Sequence, residues 1–472
     1  MNDTGISAWR DRLAAAGQSH LLQYWDRLDD DRREALLAQL DSIDWRAVPG
    51  WVSTYVKAKP RFELPSDLRP APFFSRQSPE APALAAAGQA LLRSGKVAAF
   101  VVAGGQGSRL GFEGPKGCYP ATAITSKSLF QLFAEQLLAA RHKYGVVVPW
   151  YIMTSPLNHR ATVEYFARFR FFGLGDENVR FFPQGVMPSF DMTTGNVLLT
   201  NPGEIATNPD GHGGAVAALH KSGSLADMRR RGIEHLSYFQ VDNPHVQICD
   251  ELFLGLHAQG PGSSGEMSSK MVAKATWDEK VGVFCLANGR LDVIEYSDLP
   301  ADMAKAADTA GRLRFNAGSI AIHALSVSFL EKLATDPEFE LPFHRAEKKV
   351  PHFDVSTGQA VDPTANNGVK LERFIFDALA KARGSVVLET DRVEEFAPIK
   401  NATGADSVVT SQKLQTLRAT RWLVRCGTSV PTTAAGEPDC IIELSPLTAC
   451  AAGDVACVRM PASIERGARI LL

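Results

Sequence analysis

The sequence predicts an α/β protein: a mixed sheet flanked by helices, with a helical N-terminal segment and a small β-rich C-terminal domain. Three observations carry this. Val97–Val102 is apolar at every position, as in a strand buried on both faces, and a glycine-rich loop follows it directly. Strand-like runs then alternate with helical patterns of about 10 to 17 residues, the mark of βαβ units around a largely parallel sheet. Over residues 268–323 strand-like runs follow one another with little helix between them, which suits an antiparallel subsheet over the substrate.

The elements follow in order. Leu36, Leu37, Leu40 and Ile43 recur at helical spacing, with Asp29 to Asp31 as cap candidates. Six prolines from Pro60 to Pro82 make an extended connector, since proline breaks helices and central strands. An Ala-rich helix is expected over 82–94 and an amphipathic helix over 128–144, where Leu129, Phe130, Leu132, Phe133 and Leu137 form one face. Residues 147–154 read as a strand, and Asn158 reads as the cap of a helix running to about Phe172. Strands at 179–182 and 235–241 continue the series, 370–382 reads as a helix, and after Thr410 short apolar runs suggest strands. The expected division is a helical segment with its Pro-rich connector at 1–94, a central domain at 95–408 and the C-terminal domain at 409–472.

Composition narrows the function. The chain has 472 residues, 45% hydrophobic and 22% charged, the balance of a globular protein rather than a disordered or fibrous one. Fifty Lys and Arg against 52 Asp and Glu give a net charge of −2, so no global basic field favours nucleic acid. No apolar run approaches the length of a membrane span and no secretory leader pattern opens the chain. The seven cysteines are irregularly spaced, without a CxxC, which argues against a disulfide framework or a structural zinc. A cytoplasmic protein without membrane or nucleic-acid partners is expected, with a monomer as the working assembly.

The glycine loop is the strongest local signal. Residues 103–117 read AGGQGSRLGFEGPKG, six glycines together with Arg109 and Lys116. Such a loop turns backbone N–H groups toward an anion, and the two cations reinforce it. No Gly-Lys-Ser/Thr ends it, so it is not a Walker A loop. Gly105, Gly107 and Gly111 are spaced one residue too far for the dinucleotide fingerprint, and Pro115 interrupts any entry into a helix.

This loop is similar to the signature of the UDP-sugar pyrophosphorylases, and most resembles the UDP-N-acetylglucosamine pyrophosphorylase branch. Further blocks follow in that family's order: WYIMTS from Trp150, NVRFFPQG from Asn178, PDGHGG from Pro209, VDN from Val241, VIEYSD from Val293, RFNAGSIAIH from Arg314, NGVKLERFIFD from Asn367 and FAPIKNA from Phe396. The resemblance spans roughly residues 95–410. It implies a glycosyltransferase-A-like, Rossmann-like nucleotide-binding fold and the reaction of UTP with a sugar 1-phosphate to give a UDP-sugar and pyrophosphate.

In that chemistry a phosphate oxygen attacks the α-phosphorus of UTP in line. Phosphate is already ionised near neutral pH, so the protein's task is positioning and charge neutralisation. Each pair of unit charges at ~4 Å repels by about 1 kcal/mol in water and about 4 kcal/mol at an effective dielectric of about 20. The resemblance implies Arg109 on the β and γ phosphates, Lys116 at the α-phosphate, Lys400 on the bridging phosphate, and Asp242 as the ligand of Mg²⁺. It also implies Gly104, Gly105, Gly107, Gln184, Gly211 and Gly213 as nucleotide contacts, the Gln184 amide matching uracil's imide edge. His212, Gly282, Glu295, Asn316 and Phe376 are the implied sugar contacts. At His212 the chain reads GHGG, where the acetamidosugar branch has GNGG and the glucose branch GHGD.

The sugar is therefore read as N-acetylglucosamine 1-phosphate, with a UDP-glucose or broad-specificity UDP-sugar pyrophosphorylase as the alternative. A UDP-sugar-dependent glycosyltransferase would favour a DxD metal motif, whereas Val241-Asp242-Asn243-Pro244 offers one carboxylate. A non-catalytic UDP-sugar binder could dispense with Arg109, Asp242 or Lys400.

Overall fold

A ten-stranded mixed sheet organises one of the two units into which the chain divides, that of Leu64–Pro183, Val216–Glu340 and Phe376–Leu472. The computed structural model describes residues 3–59 and 63–472. In chain order the strands are β1 (Leu68–Pro70), β2 (Val97–Val102), β3 (Trp150–Thr154), β4 (Val179–Pro183), β5 (His235–Gln240), β6 (Met267–Ala273), β7 (Val283–Ala287), β8 (Arg290–Ile294), β9 (Ala317–Ser326) and β10 (Val387–Thr390). Their order in the sheet is β1-β7-β9-β5-β2-β3-β4, with β8 on β7, β6 on β9 and β10 on β6. The β5-β2-β3-β4 half is parallel. Strands β6, β7, β8 and β9 pair antiparallel, as the strand-rich sequence over 268–323 predicts.

The helices of this unit include α1 (Ala81–Arg93), α2 (Leu129–Tyr144), α3 (His159–Arg168), α4 (Glu251–Gln259) and α5 (Val408–Arg425). Helix α2 starts where Ser128 Oγ accepts the Gln131 N–H at 3.1 Å and stops at Gly145 in the left-handed region. Its apolar face buries Leu129, Phe130, Leu132, Phe133 and Leu137 in the core that includes Trp150 of β3 and Phe166 of α3. The Phe130 ring meets Phe166 edge to face at 5.0 Å, so aromatic packing fixes how α2 and α3 lie on the sheet.

The other unit gathers Met1–Glu63, Gln184–Ala215 and Leu341–Ile375. The N-terminal helix Asp30–Ser42 begins where Asp29 accepts the Arg32 N–H, as the sequence predicts. Its Leu36 and Leu40 bury with Phe190, Leu199, Val369 and Leu371, which come from short strands in two later stretches, 184–215 and 341–375. Both units are thus assembled from discontinuous stretches, whereas the division at residues 94 and 408 follows chain order. The Pro-rich connector starts at Pro60, and residues 60–62 lie outside the described residues; no helix forms between Glu63 and Glu80.

Two segments differ from expectation. The helix expected over 370–382 is a strand, Gly368–Glu372, followed by a 3-10 turn at Ile375–Lys381. Lys370 lies opposite Ala346 in an antiparallel ladder, and that pairing outweighs the helical spacing. The C-terminal part opens with the 18-residue α5, and its strands, Ile441–Glu443 and Arg469–Leu471, have three residues each. Val408, Val409, Thr410, Thr416, Thr420 and Val424 lend α5 a strand-like composition. A Ser407 cap and burial of Ala419, Trp422 and Leu423 decide for helix.

Candidate active site

The site starts where β2 and β5 end side by side. Their parallel register puts Gln240 opposite Val102, and the Val241 N–H donates to the Val102 carbonyl at 3.1 Å. The glycine loop and the Asp242 turn therefore leave the sheet together at strand carboxyl ends, the usual ligand crevice of such sheets. The loop folds back on itself: Lys116 N donates to the Gly105 carbonyl at 3.0 Å and Gly107 N to Gly114 at 3.0 Å. A Cβ at Gly107 would lie 2.9 Å from the Phe112 carbonyl oxygen, so the fold-back needs glycine there.

This geometry brings Lys116 to Asp242. The ammonium stands 3.6 Å from Asp242 Oδ2, with side-chain exposures of 16% and 14%. Lys400 arrives by backbone: Ile399 N donates to the Asp242 carbonyl at 2.8 Å. Its ammonium, 38% exposed, lies 3.8 Å from Asp406 Oδ2 and 5.6 Å from the centre of the Phe396 ring. Arg109 sits on a 3-10 turn, Ser108–Leu110, exposed and without an ion pair among the described residues. So Lys116 and Asp242 are paired, Lys400 is adjacent in backbone with its charge on Asp406, and Arg109 shares only the loop. Gly104 lies at the start of that loop, half-buried.

Three residues went unrecognised in the sequence as parts of this site. Asn158 holds the N-cap position of α3, but its side chain makes no cap bond there. Its Nδ2 donates instead to the carbonyls of Ala103 at 3.0 Å and Gly105 at 3.2 Å, bracing the glycine loop from beneath. Asn243 Nδ2 donates to the Glu395 carbonyl at 2.7 Å, while its Oδ1 accepts the Ala397 N–H at 3.1 Å. Asp406 holds Lys400. Only Asn243 had a signal, its place inside the VDN block.

Of the residues expected at the sugar, Gly282, Glu295 and Asn316 lie at one end of β7, β8 and β9. Val283 lies opposite Ile294 and Gly318, so Gly282 and Glu295 follow at neighbouring strand ends. Ser319 N donates to the Gly282 carbonyl at 2.8 Å, and the Asn316 carbonyl accepts from Lys274 N and Gly318 N, each at 2.9 Å. Burial pushes the Lys274 ammonium below its ordinary value. Phe376 is buried at the start of its 3-10 turn.

Gln184, Gly211, His212 and Gly213 belong to the unit that carries the N-terminal helices. Gln184 is buried directly after β4. Gly211 has φ of +85°, and a Cβ on it would lie 2.4 Å from the Arg373 carbonyl oxygen. Gly213 N donates to that oxygen at 2.7 Å. His212 Nδ1 accepts the Ile375 N–H at 3.1 Å, and its ring stacks on Phe374 at 5.0 Å. His344 stacks on Phe374 at 4.3 Å.

Burial first, and repulsion from His344 second, lower the His212 pKa to about 4. An unfolded histidine titrates near about 6.5, so between pH 4 and 6.5 the unfolded chain binds more protons there. The His212 contribution to stability is complete above pH 6.5 and is lost as pH falls toward 4. The wild type is therefore expected to lose more thermal stability between pH 7 and pH 5 than His212→Asn does. Equal losses in melting experiments would contradict this.

The chain is similar to known proteins along most of its length. The family described as UTP--glucose-1-phosphate uridylyltransferase matches residues 77–434. The human UDP-N-acetylhexosamine pyrophosphorylase-like protein 1 is 36% identical, the match covering 93% of this chain and 92% of that one. The UDP-N-acetylglucosamine pyrophosphorylase of Saccharomyces cerevisiae is 35% identical over 88% of this chain and 90% of its own. The crystal structure of the uridine diphosphate N-acetylglucosamine pyrophosphorylase from Trypanosoma brucei in complex with inhibitor superimposes with a TM-score of 0.79 at 28% identity, covering 97% of this chain and 95% of that one.

Proposed function

The chain belongs to the UTP--glucose-1-phosphate uridylyltransferase family of nucleotidyltransferases, and we propose that it forms UDP-N-acetylglucosamine and pyrophosphate from UTP and N-acetylglucosamine 1-phosphate. One observation carries the assignment of the phosphate site: the 3.6 Å pairing of Lys116 with Asp242 at adjacent strand ends, with the Lys400 segment bonded to the Asp242 backbone.

In the proposed step a phosphate oxygen of the sugar 1-phosphate forms a bond to the α-phosphorus. The bond from that phosphorus to the bridging oxygen breaks, and its electron pair leaves with pyrophosphate. No proton has to be removed from the nucleophile. Lys116 neutralises charge at the α-phosphate, where a cation is most effective because charge develops there in the transition state. Arg109, on the same loop and without an ion pair among the described residues, takes the leaving pyrophosphate in its fork. Lys400 exchanges Asp406 for substrate phosphate. Gln184, with Gly104, Gly105, Gly107, Gly211 and Gly213, reads the nucleotide, and Gly282, Glu295, Asn316, Phe376 and His212 read the sugar.

Asp242 is the residue we assign to Mg²⁺. The donor set fits: Asp242 offers one hard carboxylate, 14% exposed, at the strand end beside the glycine loop. Mg²⁺ commonly takes one or two carboxylates and completes its shell with water and substrate phosphates. When bound, the ion would supply phosphate charge neutralisation. Among the described residues no helix is long and apolar enough to cross a membrane. The seven free cysteines support a reducing, cytoplasmic setting.

A panel of sugar 1-phosphates with UTP tests the substrate. The highest kcat/KM is expected for N-acetylglucosamine 1-phosphate, and a preference for glucose 1-phosphate would select the alternative. His212→Asn should raise the acetamidosugar-to-glucose ratio of specificity constants by about tenfold, the scale at which pockets discriminate small substituents. An unaltered ratio would remove His212 from the sugar contacts.

A further inference from the structure

Behind the Asp242 turn lies a cluster of charges that the reaction does not touch. Lys270 on β6 is 0% exposed, and its ammonium lies 2.6 Å from Asp250 Oδ2 and 2.6 Å from Glu395 Oε2. Arg76 binds the same two carboxylates, reaching Glu395 Oε1 at 2.5 Å and Asp250 Oδ2 in a shorter contact. Thr390 Oγ1 adds a bond to Glu395 Oε1 at 3.2 Å. Burial works against ionised Asp250, yet Arg76 and Lys270 hold its carboxyl well below the usual range.

Two positive and two negative side chains cancel, so the cluster is neutral. A neutral buried cluster is weak evidence for stability, because desolvation offsets most of its attraction and apolar replacements are often as stable. What it does supply is geometry. Glu395 is pinned by its carboxylate, and its carbonyl accepts from Asn243 Nδ2 at 2.7 Å. Two residues on, Ala397 N donates to Asn243 Oδ1 at 3.1 Å, and after two more Ile399 N donates to the Asp242 carbonyl at 2.8 Å. Three alternating bonds zip residues 395–399 onto Asp242-Asn243, and Lys400 is the next residue.

We propose that Lys270, acting through Glu395, is a positioning residue that fixes the Lys400 segment against the Asp242 turn. The proposal rests on the functional reading above, in which Asp242 and Lys400 serve the phosphates. Misplacement of reacting groups by about 1 Å can cost about 10²-fold in rate, so the anchor should show in turnover.

Glu395→Asp keeps every charge and shortens the anchor by one methylene. Lys270→Met removes the central cation, and Lys270→Arg retains it. Turnover with UTP and N-acetylglucosamine 1-phosphate would be measured well below each thermal midpoint, with UTP affinity read by calorimetry. Glu395→Asp and Lys270→Met are expected to lower kcat by about tenfold or more while UTP affinity moves by less than about threefold, and Lys270→Arg to restore most of kcat. If Lys270→Met does not fold, Glu395→Asp decides. A lowered midpoint with unchanged kcat in Glu395→Asp would overturn the positioning role. Absence of turnover in the wild type would instead refute the functional reading.

Discussion

Replacing Asp242 by Asn is expected to lower turnover by about 10³-fold while the protein stays folded. The loss reflects several kcal/mol of charge stabilisation supplied through a metal ligand, at about 1.4 kcal/mol per factor of ten. The amide keeps the shape of the carboxylate, and the backbone bond from Ile399 N does not involve the side chain. Lys116 loses its partner at 3.6 Å, but that pair is partly solvated, so the thermal midpoint should move by no more than about 3 °C. Steady-state kinetics across Mg²⁺ concentrations, with a melting curve beside them, checks both halves. Unchanged turnover with the same Mg²⁺ response would take Asp242 out of the reaction.

Lys116→Ala is expected to lower kcat by about 10²- to 10³-fold, with a much smaller change in UTP affinity. Ground-state UTP can spread its charge over Arg109, the loop N–H groups and Mg²⁺. The crowded α-phosphorus, where attacking and leaving oxygens meet, relies on the cation nearest to it. The structure adds a second consequence. With Lys116 absent, Asp242 has no cation at 3.6 Å, so half-saturation by Mg²⁺ should move to lower concentration even as turnover falls. Single-turnover kinetics with UTP titrations separate the two effects. A variant whose only defect is UTP binding would contradict the assigned role.

Much of this was legible in the sequence because its signals are local. A strand buried on both faces followed by six glycines and two cations announces itself within 21 residues, 97 to 117, and the structure puts that loop at the end of β2. The strands at β3, β4 and β5 and the Asp29 cap of the Asp30–Ser42 helix were likewise local. What escaped was long-range. Asn158 was legible as a helix cap, but its bonds to Ala103 and Gly105 span more than 50 residues. Lys270 and Glu395 are 125 positions apart, and no spacing rule joins them. Helix α5 was hidden by its own β-branched residues, whose preference gives way to the burial of Trp422 and Leu423. The same holds for Lys370, whose helical spacing is overridden by pairing with Ala346.

The GHGG block shows the limit in another form. Out of context His212 could cap a helix, bind backbone or read a sugar. The structure uses Nδ1 for the Ile375 N–H and places the ring on Phe374, which fixes its orientation but leaves the choice of sugar to the panel of 1-phosphates.

The proposed reaction depends on cations converging on a triphosphate so that two anions can react, and pyrophosphate release reads this most directly. With UTP and Mg²⁺ the protein is expected to release pyrophosphate only when a sugar 1-phosphate is added, one molecule for each UDP-sugar formed. Release from UTP alone, or a UDP-sugar consumed without pyrophosphate, would contradict it.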